Sequence, residues 1–244
     1  RDSHGQTALE KGLGSDSRGV VLGILRLKYP ETCKKNKIDL LLAVKKSQVY
    51  VLKYCFVFLK VTVGSCILKN DRNTDPIFHI ALKALKKLQG EPEESKAQAI
   101  LEMLFNEFYK IRPERINVLD GRENTPLHLA CQLNLFSWVS LLLKEKTINS
   151  MAINQNGKTP LHVAYENNSL QSLVLLIDYN PKLVYEKDRL GKHTWDLAKK
   201  DKKKQGVEED DRGLTARNII KYGRHDYGDE VLFAHFKCEL GIES

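Results

Sequence analysis

A six-residue motif occurs twice in this chain at a fixed distance. The copies TPLHLA and TPLHVA begin at Thr125 and Thr159, 34 residues apart, and a degenerate copy, HTWDLA, begins at His193 after the same interval. A fixed period of this length is typical of repeat proteins, in which each unit packs only on its neighbours. The motif therefore predicts a stack of similar units and argues against a single globular core.

A turn signal precedes most copies of the motif. Its first residue is Asp or Asn, whose side chain bonds the backbone of a tight turn, and its fourth is Gly, which adopts positive φ readily. Thr then caps a helix, and Pro suits the first helical turn. Each unit is thus predicted to contain a turn followed by a helix. The pairs are Asp2 and Gly5, Asn154 and Gly157, Asp188 and Gly191, and Asp210 and Gly213, whereas Asp120 is followed by Glu123 and Asp71 by Thr74.

This motif, repeated at a period of about 33 residues, is the signature of ankyrin repeats, so the chain resembles the ankyrin-repeat family. The resemblance implies an all-α fold, a solenoid of stacked helix-turn-helix units with about seven repeats including degenerate ones. The structural motif residues are Thr125, Pro126, Leu127, His128 and Ala130 in one copy, and Thr159, Pro160, Leu161, His162 and Ala164 in the next. Second helices are predicted from apolar residues at helical spacing, namely Leu135, Val139, Leu142 and Leu143, then Leu170, Leu173, Val174 and Ile177.

We predict one ankyrin-repeat domain over residues 1–244. The outer repeats are degenerate, and the last residues, 223–244, are predicted to form a C-terminal cap, because an open solenoid end exposes apolar surface. Motif starts lie near residues 7, 38, 76, 125, 159, 193 and 215. The cap contains the apolar residues Val231, Leu232, Phe233 and Phe236.

Three segments depart from the regular pattern. In the third unit, a long amphipathic second helix is predicted from Ser95 to Arg112 after a helix that ends near Leu88. Residues 199–211 are expected to form a loop or a short stub. In the second unit, β-forming residues leave a strand open as an alternative to the helix that the repeat favours.

Composition predicts a folded protein without a catalytic centre. Apolar residues make up 42% of the chain and charged residues 29%, as in globular domains. The scattered cysteines predict neither a disulfide framework nor a zinc site, which favours an intracellular, cytoplasmic location. Because no P-loop, Rossmann glycine run, HExxH or GxSxG occurs, we predict no enzymatic activity, cofactor or metal site. Residues 49–68 are apolar but contain two lysines, so no membrane span is predicted.

Histidines occupy the fourth motif position in three copies, at His79, His128 and His162. The resemblance implies that they brace adjacent turns by hydrogen bonds. The alternative is a nucleophilic pair of His128 and Cys131, three residues apart on a helix; we favour the structural role. Asn117 matches the position that hydroxylases modify in some ankyrin proteins, although Tyr109 replaces the usual upstream leucine.

The resemblance also implies a partner protein bound on the concave side, which hairpin tips and first helices form. Because the sixth unit is basic and the net charge is +8, we predict that the partner presents an acidic segment to a monomeric module. The predicted contact residues are Gly121, Arg122, Asn124 and Gln132 in the fourth unit, Ile153, Gln155, Asn156, Lys158, Glu166 and Asn167 in the fifth, and Lys187, Arg189, Lys192 and Lys200 in the sixth.

Other functions stay open. The array could recruit substrates for a larger enzyme whose catalytic domain lies outside these residues. Alternatively, the lysine run at residues 199–204 could bind nucleic acid or phosphoinositide, although residues 208–211 are acidic and would neutralise much of its field. The Lys-, Asn- and Ile-rich composition resembles that of ankyrin effectors that intracellular bacteria secrete, which would place the protein in a host cytoplasm. A eukaryotic scaffold is the competing source.

Overall fold

The computed structural model describes residues 3, 76–111, 113–194, 196, 215–223 and 230–242. Within these ranges the chain is all-helical, with eight α-helices, two 3-10 helices and one isolated bridge between Lys187 and His193. The chain divides into two compact units, Arg1–Arg115 and Ile116–Ser244. The all-α prediction is confirmed for the described part. The motif starts near residues 7 and 38 lie outside it, and a single domain with seven repeats stays a prediction.

The first unit contains one described helical hairpin, α1 (Ile77–Leu88) and α2 (Glu94–Ile111). The helices are joined at Gly90, whose φ of 85° lies in the region that glycine adopts without strain. Gly90 also donates its backbone N–H to Glu94 Oε2 at 2.7 Å, across the start of α2. The predicted end of α1 and both predicted bounds of α2 agree with the structure to within a residue. The buried faces contain Ile77, Phe78, Ile80, Ala81, Leu82 and Leu85 on α1, and Ala97, Ile100, Leu101 and Leu104 on α2.

The second compact unit, Ile116–Ser244, contains two successive helical hairpins of the same design. The first pairs α3 (Pro126–Gln132) with α4 (Phe136–Leu143), and the second pairs α5 (Pro160–Glu166) with α6 (Leu170–Tyr179). Asn134 and Asn168, 34 residues apart, turn the chain between the helices with φ of 54° and 51°, a conformation that Asn tolerates better than most residues. The 3-10 helices are Pro113–Asn117 and Pro181–Tyr185.

Like helices of the two hairpins pack side by side, α3 against α5 and α4 against α6. The apolar side chains between them are almost fully buried, and each such Leu, Ile or Val contributes about 1.5–3 kcal/mol. Ser169, also buried, donates its hydroxyl to Cys131 O at 2.7 Å and ties the two hairpins together. Leu170 was predicted as part of the apolar face of this helix, but it is only half-buried in the first turn of α6. The buried set includes Leu127, Ala130, Trp138, Val139, Leu142, Leu143, Leu161, Ala164, Leu173, Val174 and Ile177.

The C-terminal helices α7 (Ala216–Tyr222) and α8 (Glu230–Glu239) pack beyond α6. Thr215 caps α7 by accepting the backbone N–H of Asn218 at 3.1 Å. Lys237 on α8 pairs with Asp178 at 2.7 Å, and Gln171 Nε2 donates to Leu240 O at 3.1 Å.

The predicted closing helix is therefore present, but its apolar residues do not share one buried face. Phe236 is buried, whereas Val231 is 82% exposed because it projects from the opposite side of α8. Leu232 and Phe233 are half-buried. Residues 199–211 and the second predicted repeat, whose motif starts near residue 38, lie outside the described residues. No helix in the described ranges is both long and apolar enough to cross a membrane.

Candidate partner-binding surface

Three loops of identical construction precede the repeats, at residues 120–124, 154–158 and 188–192. In each, the side-chain oxygen of the first residue accepts two backbone N–H groups, from residues two and four positions later. The distances are 2.8 and 2.8 Å at Asp120, 3.0 and 3.1 Å at Asn154, and 2.8 and 2.9 Å at Asp188. The turns predicted at Asn154 and Asp188 are therefore present, Asp120 forms the same turn, and Asn replaces Asp without loss of either bond. The turn signals at Asp2, Asp71 and Asp210 lie outside the described residues.

The fourth residue of each loop has positive φ. Gly157 and Gly191 have φ of 69° and 72°, and Glu123 adopts the same conformation at 61°. The first loop therefore keeps the same geometry although Glu123 replaces the glycine. Glu123 holds a conformation that carries a penalty of about 1–2 kcal/mol for a residue with a Cβ.

Backbone hydrogen bonds join each loop to the next. Gln155 N donates to Arg122 O at 3.1 Å, and Arg189 N donates to Asn156 O at the same distance. Side chains repeat the connection, because Gln155 Nε2 donates to Gly121 O at 3.0 Å and Arg189 Nη1 to Gln155 O at 2.9 Å. We call this set of bonds the loop ladder. It fixes the backbones of the three loops relative to one another.

The motif histidines brace the loops from below. His128 Nδ1 accepts the backbone N–H of Thr125 at 3.2 Å and lies 2.8 Å from the Thr125 hydroxyl, so Nε2 carries the proton and donates to Lys158 O at 2.9 Å. His162 repeats this pattern, with Nε2 at 3.3 Å from Lys192 O. The predicted structural role is confirmed for both residues. His79 is buried in α1.

Acidification is expected to destabilise the array through His162. Burial lowers the pKa of His162 by disfavouring the charged imidazolium, and nearby Lys158 acts in the same direction. The hydrogen bond to Lys192 O and the carboxylates of Asp188 and Glu166 oppose this shift without reversing it. Protonation at Nδ1 would also break the bonds from Thr159.

Because the folded-state pKa of His162 lies below its unfolded value of about 6.5, the unfolded chain takes up the proton first as pH falls. The free energy of unfolding should therefore be complete above about pH 6.5 and decrease below it. Urea unfolding at about pH 7.5 and pH 5.5 measures this loss. His162→Gln should flatten the difference, whereas His235→Gln on the exposed face of α8 should retain it. An unchanged difference in His162→Gln would contradict this assignment.

Cys131 is not placed for nucleophilic chemistry with His128. Its side chain is completely buried, and burial raises the pKa of the thiol far above its usual range. Both ring nitrogens of His128 are engaged in the bonds that hold the loops. The thiol therefore stays protonated and packs as a small apolar group.

Most of the predicted contact residues are exposed, but three are not. Asn124 is half-buried, contacts Asp120 and accepts a hydrogen bond from Asn154 Nδ2 at 2.9 Å, so it links two loops. Lys158 is half-buried and pairs with Glu166, and Lys192 is half-buried as well. These three residues are therefore less accessible to a partner than the other predicted contact residues. Exposed are Gly121, Arg122, Gln132, Ile153, Gln155, Asn156, Glu166, Asn167, Lys187 and Arg189, and Lys200 lies outside the described residues.

The three loops line an open groove of about 590 Å³. Glu123 lines it from the first loop, residues 153–157 from the second, and residues 187–189 from the third. The groove unites predicted residues, such as Ile153 and Arg189, with Glu123, which the turn pattern explains only as a structural residue. The sequence signal for a surface role of Glu123 was a charged residue at the turn position where glycine is preferred.

Comparisons with known proteins agree with this fold. Residues 94–187 match the family model of ankyrin repeats, in three copies. Among similar solved structures is a chain of the complex of a predatory endopeptidase from Bdellovibrio bacteriovorus with its immunity protein, at a TM-score of 0.63 and 16% identity. The similarity covers 88% of this chain and 97% of that chain, and at this identity it shows the fold alone. No curated protein sequence matches the chain.

Proposed function

We propose, from the premise that this chain is an ankyrin-repeat protein over residues 94–187, that it binds a partner protein on the side formed by its loops and the C-terminal ends of α3 and α5. The loop ladder carries this proposal. It presents side chains from three loops in a fixed arrangement around a groove, so little conformational entropy is lost when a partner binds. Gln132, Glu166 and Asn167 extend the exposed polar surface onto the first helices.

The partner presents an acidic segment to the third loop. Lys187 and Arg189 are exposed there, and neither forms an ion pair with any residue in the described ranges. Asp188, which lies between them, is buried and accepts backbone N–H groups within its own loop. Two cations therefore face the groove, and they accelerate association with an acidic partner more than they strengthen the final complex.

Reversing both charges tests this proposal. Lys187→Glu with Arg189→Glu should slow association by about tenfold at low ionic strength, because attraction becomes repulsion. The partner would be captured from a eukaryotic cytosolic lysate, identified, purified and titrated against both proteins in a kinetic binding assay. A matched control reverses Lys144 and Lys146, exposed residues at the end of α4, with the same change in net charge. Equal association rates for the two double variants would refute the placement.

Under this proposal the protein works as a monomer, since the described repeats bury their apolar faces against one another within the chain. We propose the cytoplasm as its location. If it is a secreted bacterial effector, that cytoplasm is the host's and the captured partner is a host protein. Light scattering measures the oligomeric state directly. The alternative lysine run at residues 199–204 lies outside the described residues, and phosphoinositide or nucleic-acid binding that falls steeply with salt would support it instead.

A further inference from the structure

Four large apolar side chains are exposed along the segments that lead into the loops. Leu119 and Ile153 are 42% and 58% exposed and occupy the same position, directly before the first loop residue. Met151 and Tyr185, 38% and 39% exposed, also occupy one shared position, two residues further upstream. We call these four residues the apolar strip. Exposed apolar side chains that recur at equivalent positions of successive repeats are candidates for contact with a partner.

One member of the strip, Ile153, lines the groove. Lys187 and Arg189 line the same groove, so an apolar side chain and two cations face one space. The loop ladder joins two of the loops there, because Arg189 Nη1 donates to Gln155 O.

Charges divide this surface into two ends. Glu123 lies at the first-loop end of the groove, and Lys187 and Arg189 lie at the third-loop end, with Ile153 between them. A carboxylate on the partner is repelled by Glu123 and attracted by the two cations. These charges therefore favour one direction of binding for an apolar segment with an acidic end.

We infer that Ile153 anchors an apolar side chain of the partner, on an extended acidic segment whose carboxylates lie towards Lys187 and Arg189. This inference rests on the proposed function and specifies its partner. Burial of the anchor slows dissociation, whereas the charges govern association. Apolar and charged variants should thus alter different rate constants.

Selection from displayed random peptides tests the inference without a known partner. Peptides of about nine residues suffice, because an extended chain of that length spans three repeats about 10 Å apart. Selected peptides should contain Leu, Ile, Phe or Trp with Asp or Glu to one side. Ile153→Asp should weaken their binding at least about tenfold through faster dissociation. Val231→Asp, which introduces the same charge on the exposed side of α8, should leave binding unchanged.

Each other outcome overturns the inference. Selected peptides that lack an apolar residue, or that bind Ile153→Asp normally, refute the anchor; if Lys187→Glu with Arg189→Glu still slows their association, the proposed function stands. Peptides insensitive to all these variants, or no selected peptide at all, refute both. A homodimer that Ile153→Asp dissolves would show that a second copy covers the strip. Circular dichroism on heating verifies that each variant is folded.

Discussion

Gly157→Ala is expected to lower the free energy of unfolding by about 3 kcal/mol. Gly157 has φ of 69°, a conformation that is unfavourable for any residue with a Cβ. A Cβ at this position would also lie 2.6 Å from Arg189 N and 2.9 Å from Arg189 Cβ. Because Arg189 N is held by Asn156 O, the clash can be relieved only by breaking a bond of the loop ladder. Urea unfolding followed by circular dichroism measures the loss.

Gly191→Ala is the matched control for the steric part of this effect. Gly191 has nearly the same backbone conformation, but nothing lies within 4 Å of a Cβ built on it. Its substitution should carry only the conformational penalty, about 1 kcal/mol. If the two variants lose equal stability, the second and third loops do not pack as closely as the structure shows.

His128→Ala is expected to destabilise the protein by about 3 kcal/mol. The substitution removes the acceptor of Thr125 N–H, which is buried, and the donor to Lys158 O, which is partly buried. Each unsatisfied buried group carries a penalty of about 1–3 kcal/mol. His235→Ala, which removes an exposed imidazole, should change stability little.

The variants His128→Ala and His235→Ala also test whether the role of His128 is structural or catalytic. A structural histidine predicts that His128→Ala lowers the unfolding midpoint and weakens partner binding in proportion to the folded fraction. Wild-type stability in His128→Ala would contradict the bracing role. In the degenerate motif copy at His193, an aspartate replaces the histidine. Asp196 accepts the backbone N–H of His193 at 3.1 Å, as the His128 ring nitrogen accepts that of Thr125.

The regular repeats were predictable because their signals are local. Thr125 and Thr159 precede Pro, and a helix begins at the next residue in both copies. The first loop was harder to predict, since Glu123 violates the preference for glycine; its conformation is imposed by the bonds of Asp120 and by the neighbouring loop. The exposure of Val231 depends on which side of α8 meets α7, which spacing within one helix does not determine.

The candidate surface was predictable only in part. Spacing from the motif placed Ile153, Lys187 and Arg189 correctly among the exposed residues. It could not show that Asn124 links two loops, because that bond joins residues 30 positions apart. It also missed Leu119, Met151 and Tyr185, since apolar residues before a turn are usually interpreted as core. Their exposure follows from tertiary packing.

The loop ladder has a consequence for engineering the length of the array. Its bonds run from each loop to the adjacent one, and the equivalent pairs Gln155 with Arg122 and Arg189 with Asn156 have the same separation along the chain. Inserting a second copy of residues 125–158 would supply both a donor and an acceptor at every new junction. The groove could therefore be extended by whole units, whereas insertions of any other length would leave backbone groups at a junction without their counterparts.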